Sequence, residues 1–164
     1  MTNESGAPPL EILVVDDNDD DVLLLQESLR GLATVNLLHT VRDGEEALTF
    51  LRREGQYAGA PRPSLVLLDI NMPKKNGFEV LAEMKTDPLL RIIPVVMLTT
   101  SNRDADVMAA YGGGACSFVT KPVNFDRLKL MAEHFVCYWT TVVQVPRSGS
   151  AATGQPDLPS PSTS

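Results

Sequence analysis

Five short apolar runs constrain this chain more than any other feature: "EILVV" (11–15), "VNLLHTV" (35–41), "SLVLL" (64–68), "PVVML" (94–98) and "CSFVT" (116–120). Four of them lack the polar/apolar alternation of a strand with one wet face. Continuous Val/Ile/Leu runs of this length suit strands buried on both faces, as in a parallel sheet. Between the runs the period changes to helical. Val22, Leu25, Leu29 and Leu32 share one face behind Asn18, a candidate N-cap. Asp43 and Glu46 have capping-box spacing ahead of Ala47, Leu48 and Leu51. Phe78, Leu81 and Met84 mark a third helix, ended by Asp87-Pro88. A fourth, capped by Ser101 or Asn102, runs to Tyr111 before "GGG". The last runs from about Asn124 to Val143 and carries Phe125, Leu128, Ala132, Phe135 and Trp139 at 3/4 spacing.

Strand and helix therefore alternate five times. That pattern predicts an α/β fold with a parallel sheet and right-handed crossovers, in the flavodoxin-like strand order 2-1-3-4-5. The domain spans residues 10–145, after a polar N-terminal tail at 1–9. From 146 to 164 the chain turns to "PRSGSAATGQPDLPSPSTS", a composition that cannot bury enough surface to order itself and reads as a disordered tail. No effector domain is expected after Val145.

Composition excludes several function classes. The net charge of −7 and the absence of a Lys/Arg cluster argue against nucleic acid or anionic lipid as the main partner. No apolar run approaches the ~18 residues of a membrane span, and the N-terminus has no signal-peptide core. Cys116 and Cys137 show no metal-ligand or redox spacing, and read as reduced, mostly buried thiols of a cytoplasmic protein. His39 and His134 are isolated.

Ligands of open α/β sheets bind beyond the carboxyl ends of the strands. Those ends are Asp16-Asp17, Asp69, Thr99-Thr100 and Lys121-Pro122. Asp69 alone could be a turn acid before "NMPKKNG", and Lys121 alone a surface lysine. Together, three carboxylates make a hard oxygen site suited to Mg²⁺, and a lysine and a threonine beside it can hold a multiply charged anion. Carboxylates, Mg²⁺, Lys and Thr are what a phosphoryl group needs, with a carboxylate available as nucleophile.

"VVDDN", "LVLLDINMPKKNGFEVL", "PVVMLTTS" and "SFVTKP" resemble, in order and spacing, the receiver domain of two-component response regulators. The resemblance implies that Asp69 is phosphorylated by a histidine kinase, docking near the first helix. It implies that Asp16, Asp17, Asp69 and the backbone carbonyl of Asn71 hold Mg²⁺, and that Thr99 and Lys121 contact the phosphoryl oxygens. Thr99 and Phe118 would form the switch, altering the helix 4–strand 5–helix 5 face. Lys121-Pro122 is expected to be cis. Asn71 and Ser101 fall at the family's rate-tuning positions.

The finer pattern "DDNDDDVLLLQESL…DGEEALTFLRREG…LDINMPK…KPVNF…YW" resembles more narrowly the single-domain regulators that partner bacterial phytochromes. Asp19 stands where those relatives often have proline. Such a chain is not an enzyme beyond its own phosphotransfer and autodephosphorylation. Its output would be docking to another protein or onward transfer to a phosphotransfer protein. Five successive apolar residues, Phe135 to Trp139, exceed one core-facing stripe and suggest a homodimer through the last helix.

Two rivals meet the same residues. Counted from Asp16, "DDNDDDVLLLQE" has acids or amides at positions 1, 3, 5 and 12 of a calcium EF-hand loop, but Asp21 occupies the position that needs glycine. A haloacid-dehalogenase-type phosphatase also uses aspartyl-phosphate and Mg²⁺. It needs acidic ligands downstream of its lysine, where only Asp126 and Glu133 precede the tail, both on the last helix. Asp19, Asp20 and Asp21 are expected to be first-turn acids complementing the helix dipole, outside the site.

Overall fold

In the computed structural model, residues 10–30, 37–100, 102–122 and 124–139 are described. The elements are β1 (Glu11–Val15), α1 (Asp19–Arg30), β2 (Leu37–Val41), α2 (Gly44–Arg52), β3 (Leu65–Leu68), α3 (Gly77–Thr86), β4 (Val95–Thr99), α4 (Asp104–Gly112), β5 (Ser117–Thr120) and α5 (Phe125–Cys137), with a 3-10 turn at Gly55–Tyr57. The strands form one sheet in the order β2-β1-β3-β4-β5, with every adjacent pair parallel. This is the predicted doubly wound topology.

The apolar runs are continuous because each strand feeds two cores. Leu13, Val15, Val66, Leu68, Val95 and Met97 pack on one face with Leu48, Leu51, Leu81 and Met84 of α2 and α3. Ile12, Val14, Leu65, Leu67, Val96 and Leu98 pack on the other with Leu25, Leu29, Ala132 and Trp139. Successive side chains point to opposite faces, so a strand covered on both sides shows no alternation. Strand β5 is one edge of the sheet and its residues are less buried; Cys116, just before it, and Cys137, at the end of α5, are exposed rather than buried as expected.

The helix signals hold with local differences. Asn18 accepts from the amide of Asp21 at 3.1 Å and Asp43 from that of Glu46 at 2.8 Å. The Glu46 carboxylate returns to the amide of Arg42 at 3.3 Å, so the box closes one residue early. A complete capping box, not anticipated, joins Asn76 and Glu79 at the start of α3. The N-cap of α4 is Arg103, not Asn102; its side chain makes no cap hydrogen bond, and its guanidinium pairs with Asp106 in the first turn, 3.1 Å from Oδ2. Ser101, Leu32, the tails at 1–9 and 146–164, and the expected continuation of the last helix to Val143 lie outside the described residues. No cis peptide bond occurs among the described residues, so Lys121-Pro122 is trans, the isomer favoured for X-Pro by about 0.5–1 kcal/mol.

Candidate functional site

The parallel ladder continues one residue past the carboxyl ends of three strands. The amide of Asp16 donates to Val41 O at 3.1 Å, that of Asp69 to Val15 O at 3.0 Å, and that of Lys121 to Thr99 O at 2.7 Å. Residues two apart on a strand share a face. Asp16 follows Val14, Asp69 follows Leu67 and Lys121 follows Val119, all on the face covered by α1 and α5. Three charged side chains from three strands thus converge at one edge, under the start of α1.

Asp16, Asp69 and Lys121 are almost fully buried, at 4%, 9% and 9% exposure. Asp16, Asp17 and Asp69 each present a carboxylate oxygen, all within 4.8 Å of one another. The Lys121 ammonium donates to Asp16 Oδ2, to Asp21 Oδ2 at 3.0 Å and to Asp69 Oδ2 at 3.3 Å. The remaining oxygens of the two buried acids are held by backbone. Asp16 Oδ1 accepts from the amide of Asn18 at 2.9 Å, and Asp69 Oδ1 from that of Ile70 at 2.7 Å.

Burial works against the charge on Lys121, but the Asp16 hydrogen bond and the charges of Asp69 and Asp16 outweigh it. Its pKa is held above the ordinary lysine value. For Asp16, burial and the nearby charge of Asp69 prevail over the pull of Lys121, and the carboxyl is pushed up. Three carboxylates meet one ammonium and a fourth, Asp17, lies beside two of them, so the site is short of positive charge. A hard divalent cation held by Asp16, Asp17 and Asp69 would supply what is missing, and their all-oxygen donor set would suit it.

The loop after Asp69 is fixed from behind. Gly77 donates to Ile70 O at 2.8 Å, Lys74 takes φ 66°, and the Lys74 ammonium lies 3.6 Å from Asp43. Asn71 is exposed in this loop. Thr99 ends β4 with no exposure, paired in register with Thr120. Phe118, opposite Met97 in the ladder, is partly buried against the α2–α3 core, and its amide donates to the Tyr111 hydroxyl oxygen at 3.3 Å. Neither Asn71 nor Phe118 forms a hydrogen bond or ion pair with the four charged groups Asp16, Asp17, Asp69 and Lys121 among the described residues.

One site residue escaped the sequence reading. Asp21 was expected to stand apart with Asp19 and Asp20, yet it binds Lys121. Asp19 does stay outside, paired with Arg42 at 2.6 Å on the surface. Three consecutive acids in a first turn point in three directions, about 100° apart, and only one faces the sheet edge.

The response regulator receiver domain family matches residues 12–133. Response regulator Rcp1 of Synechocystis sp. is 43% identical over 146 residues, covering 89% of this chain and 99% of that protein. The probable methanogenesis regulatory protein FilR2 of Methanothrix harundinacea is 40% identical over 132 residues, covering 80% and 84%. Among solved structures, the phosphorylated cyanobacterial phytochrome response regulator RcpA superposes with a TM-score of 0.81 at 42% identity, covering 84% of this chain and 99% of that one. The Mn²⁺-bound form of Rcp1 gives 0.78 at 43% identity with the same coverage. A haloacid-dehalogenase-type phosphatase finds no support in these matches. With its 2-1-3-4-5 sheet, its acidic edge and its lysine, the chain belongs to the response regulator receiver domain family.

Proposed function

We propose that this response regulator accepts a phosphoryl group on Asp69 from a phosphohistidine of a histidine kinase. The observation that supports it is the convergence on Asp69 of two further carboxylates and the Lys121 ammonium, at the open edge of the sheet. An Asp69 carboxylate oxygen attacks phosphorus as the phosphorus–nitrogen bond breaks, and the electron pair of that bond stays on the departing imidazole. Lys121 stands where it can follow the phosphoryl oxygens with a charge-assisted hydrogen bond. Asp16, Asp17, Asp69 and the carbonyl of Asn71 would hold Mg²⁺, which when bound offsets charge on those oxygens. Thr99, at the end of β4, turns toward the new group, and Phe118 follows into the space it leaves. The α4–β5–α5 face then changes, biased by the new hydrogen bonds.

The likeness to a phytochrome response regulator along nearly its whole length supports a phytochrome-type photosensor kinase as donor; the cytoplasm is the proposed place of the exchange. The chain's own chemistry is phosphotransfer to itself and autodephosphorylation, in which water takes the phosphoryl group and leaves as inorganic phosphate. Output passes by docking to a further protein or by relay to a phosphotransfer protein. A homodimer through α5 fits the exposure of Leu130 and Tyr138, at 52% and 53%, beside a cavity of about 790 Å³ between β5 and α5.

Incubation with acetyl phosphate or a phosphorylated kinase tests the acceptor. The unaltered chain takes up an acid-stable, alkali-labile phosphoryl group and Asp69→Asn takes up none. Stable uptake by Asp69→Asn would overturn the assignment.

A further inference from the structure

A lysine ammonium has three protons to donate, and Lys121 gives all three to carboxylates. Two of these acceptors, Asp16 and Asp69, belong to the group that can hold a cation. The third, Asp21, does not. It enters from α1, 100 residues away in sequence, and its contact at 3.0 Å is closer than the 3.3 Å to Asp69. Asp21 is also held in place: its amide is capped by Asn18, which is tied in turn to Asp16. On the far side, a cavity of about 210 Å³, lined by Leu24, Thr100, Pro122 and Leu128, adjoins Asp21 and Lys121. Without Asp21, the ammonium would have open space on that side.

We infer that Asp21 is a positioning residue for phosphoryl transfer, anchoring the Lys121 ammonium beside Asp69 from a helix outside the cation-binding group. A cation on Asp16 and Asp69 competes with Lys121 for their oxygens, whereas Asp21 keeps its lone pairs for the lysine. A long flexible side chain is thereby held at the distance from Asp69 that an incoming phosphoryl group requires. The inference rests on Asp69 as the acceptor.

The test compares Asp21→Ala with Asp20→Ala, which removes the same charge from the next residue, and with Asp21→Glu. Asp20 is exposed, and its side chain forms no hydrogen bond or ion pair among the described residues. Phosphate uptake from acetyl phosphate with Mg²⁺ is measured on each. So is the hydrogen–nitrogen correlation signal of the Lys121 ammonium without metal. Asp21→Ala is expected to slow uptake roughly tenfold or more and to lose the ammonium signal to solvent exchange. Asp20→Ala keeps both, and Asp21→Glu recovers most of the rate. Uptake by Asp21→Ala at the rate of Asp20→Ala overturns the inference, as does a retained ammonium signal. If the unaltered protein takes up no phosphate, the reading of Asp69 fails by itself, and the ammonium signal alone then decides whether Asp21 is the anchor.

Discussion

Gly77 lies against the backbone of Asp69: a Cβ on Gly77 would stand 2.2 Å from Asp69 O and 2.9 Å from Ile70 Cα. The first residue of α3 thus presses directly on the carboxyl end of β3. What it meets is backbone, which cannot swing aside as a long side chain can. Gly77→Ala is therefore expected to push the Asp69 loop from its place. The cost should be about 1–3 kcal/mol, the range for overpacking a close-packed site, read as a lower urea midpoint. Phosphoryl uptake should fall with it, because the shift falls on the acceptor itself. An unchanged midpoint would show that α3 can retreat freely.

Divalent cation should stabilise the fold through the carboxylates of Asp16, Asp17 and Asp69. Their mutual distances within 4.8 Å leave negative charge that Lys121 only partly offsets. A ligand that binds only the folded state raises the melting temperature with its concentration. Mg²⁺ should raise it for the unaltered protein and do so little for Asp17→Ala. Asp17→Ala should also lose Mg²⁺-dependent phosphorylation, whereas Asp20→Ala should barely change it. Calorimetric titration with Mg²⁺ and the uptake assay check the two halves separately, and equal losses in both variants would defeat the division.

Much of this was legible in the chain because the signals were local. A strand buried on both faces must be apolar at every position, so Ile12 to Val15 and Val95 to Leu98 announce themselves. The acids and the lysine follow those runs directly, so the sequence alone puts Asp16, Asp69 and Lys121 at one edge of a parallel sheet. What was missed depends on angle or on distant partners. Asp19, Asp20 and Asp21 are chemically identical in sequence, and only the packing of α1 on the sheet turns Asp21 to Lys121 and Asp19 to Arg42. Arg103 stands at the N-cap of α4 in place of Asn102 without a side-chain cap, and its guanidinium pairs with Asp106 in the first turn. Capping propensities do not contain that pairing.

Tyr57 gives a pH-dependent test away from the site. Its hydroxyl donates to Glu46 Oε1 at 2.5 Å, behind the N-terminus of α2, and its ring packs on Phe50. The hydrogen bond to Glu46, with some burial, pushes the phenol pKa from 10.0 up to about 12. A raised folded-state pKa means that the fold favours the protonated phenol. The resulting stability is fully present below pH 10 and is lost as pH rises from there through about 12. In an ultraviolet titration, Tyr57→Phe should remove a late tyrosinate step. Glu46→Gln should move that step earlier. The stability advantage of the unaltered protein over Tyr57→Phe should shrink across the same interval. A step that ignores Glu46→Gln would mean the hydrogen bond is not its cause.

Self-association can be tested at α5 with little risk to the fold. Leu130 is half exposed on the outer side of α5, beside the cavity that also touches Met131, Phe135 and Tyr138. An exposed leucine contributes little to its own monomer, so Leu130→Asp should leave the unfolding midpoint nearly unchanged. In an apolar interface between two copies, the same change buries an unpaired carboxylate in each, which is strongly unfavourable. Light scattering at about tens of micromolar, where weak homodimers of this kind populate, should give a dimer for the unaltered chain and a monomer for Leu130→Asp. A monomer for both would remove the α5 dimer. A dimer for both would move the interface elsewhere on the molecule, away from the cavity between β5 and α5.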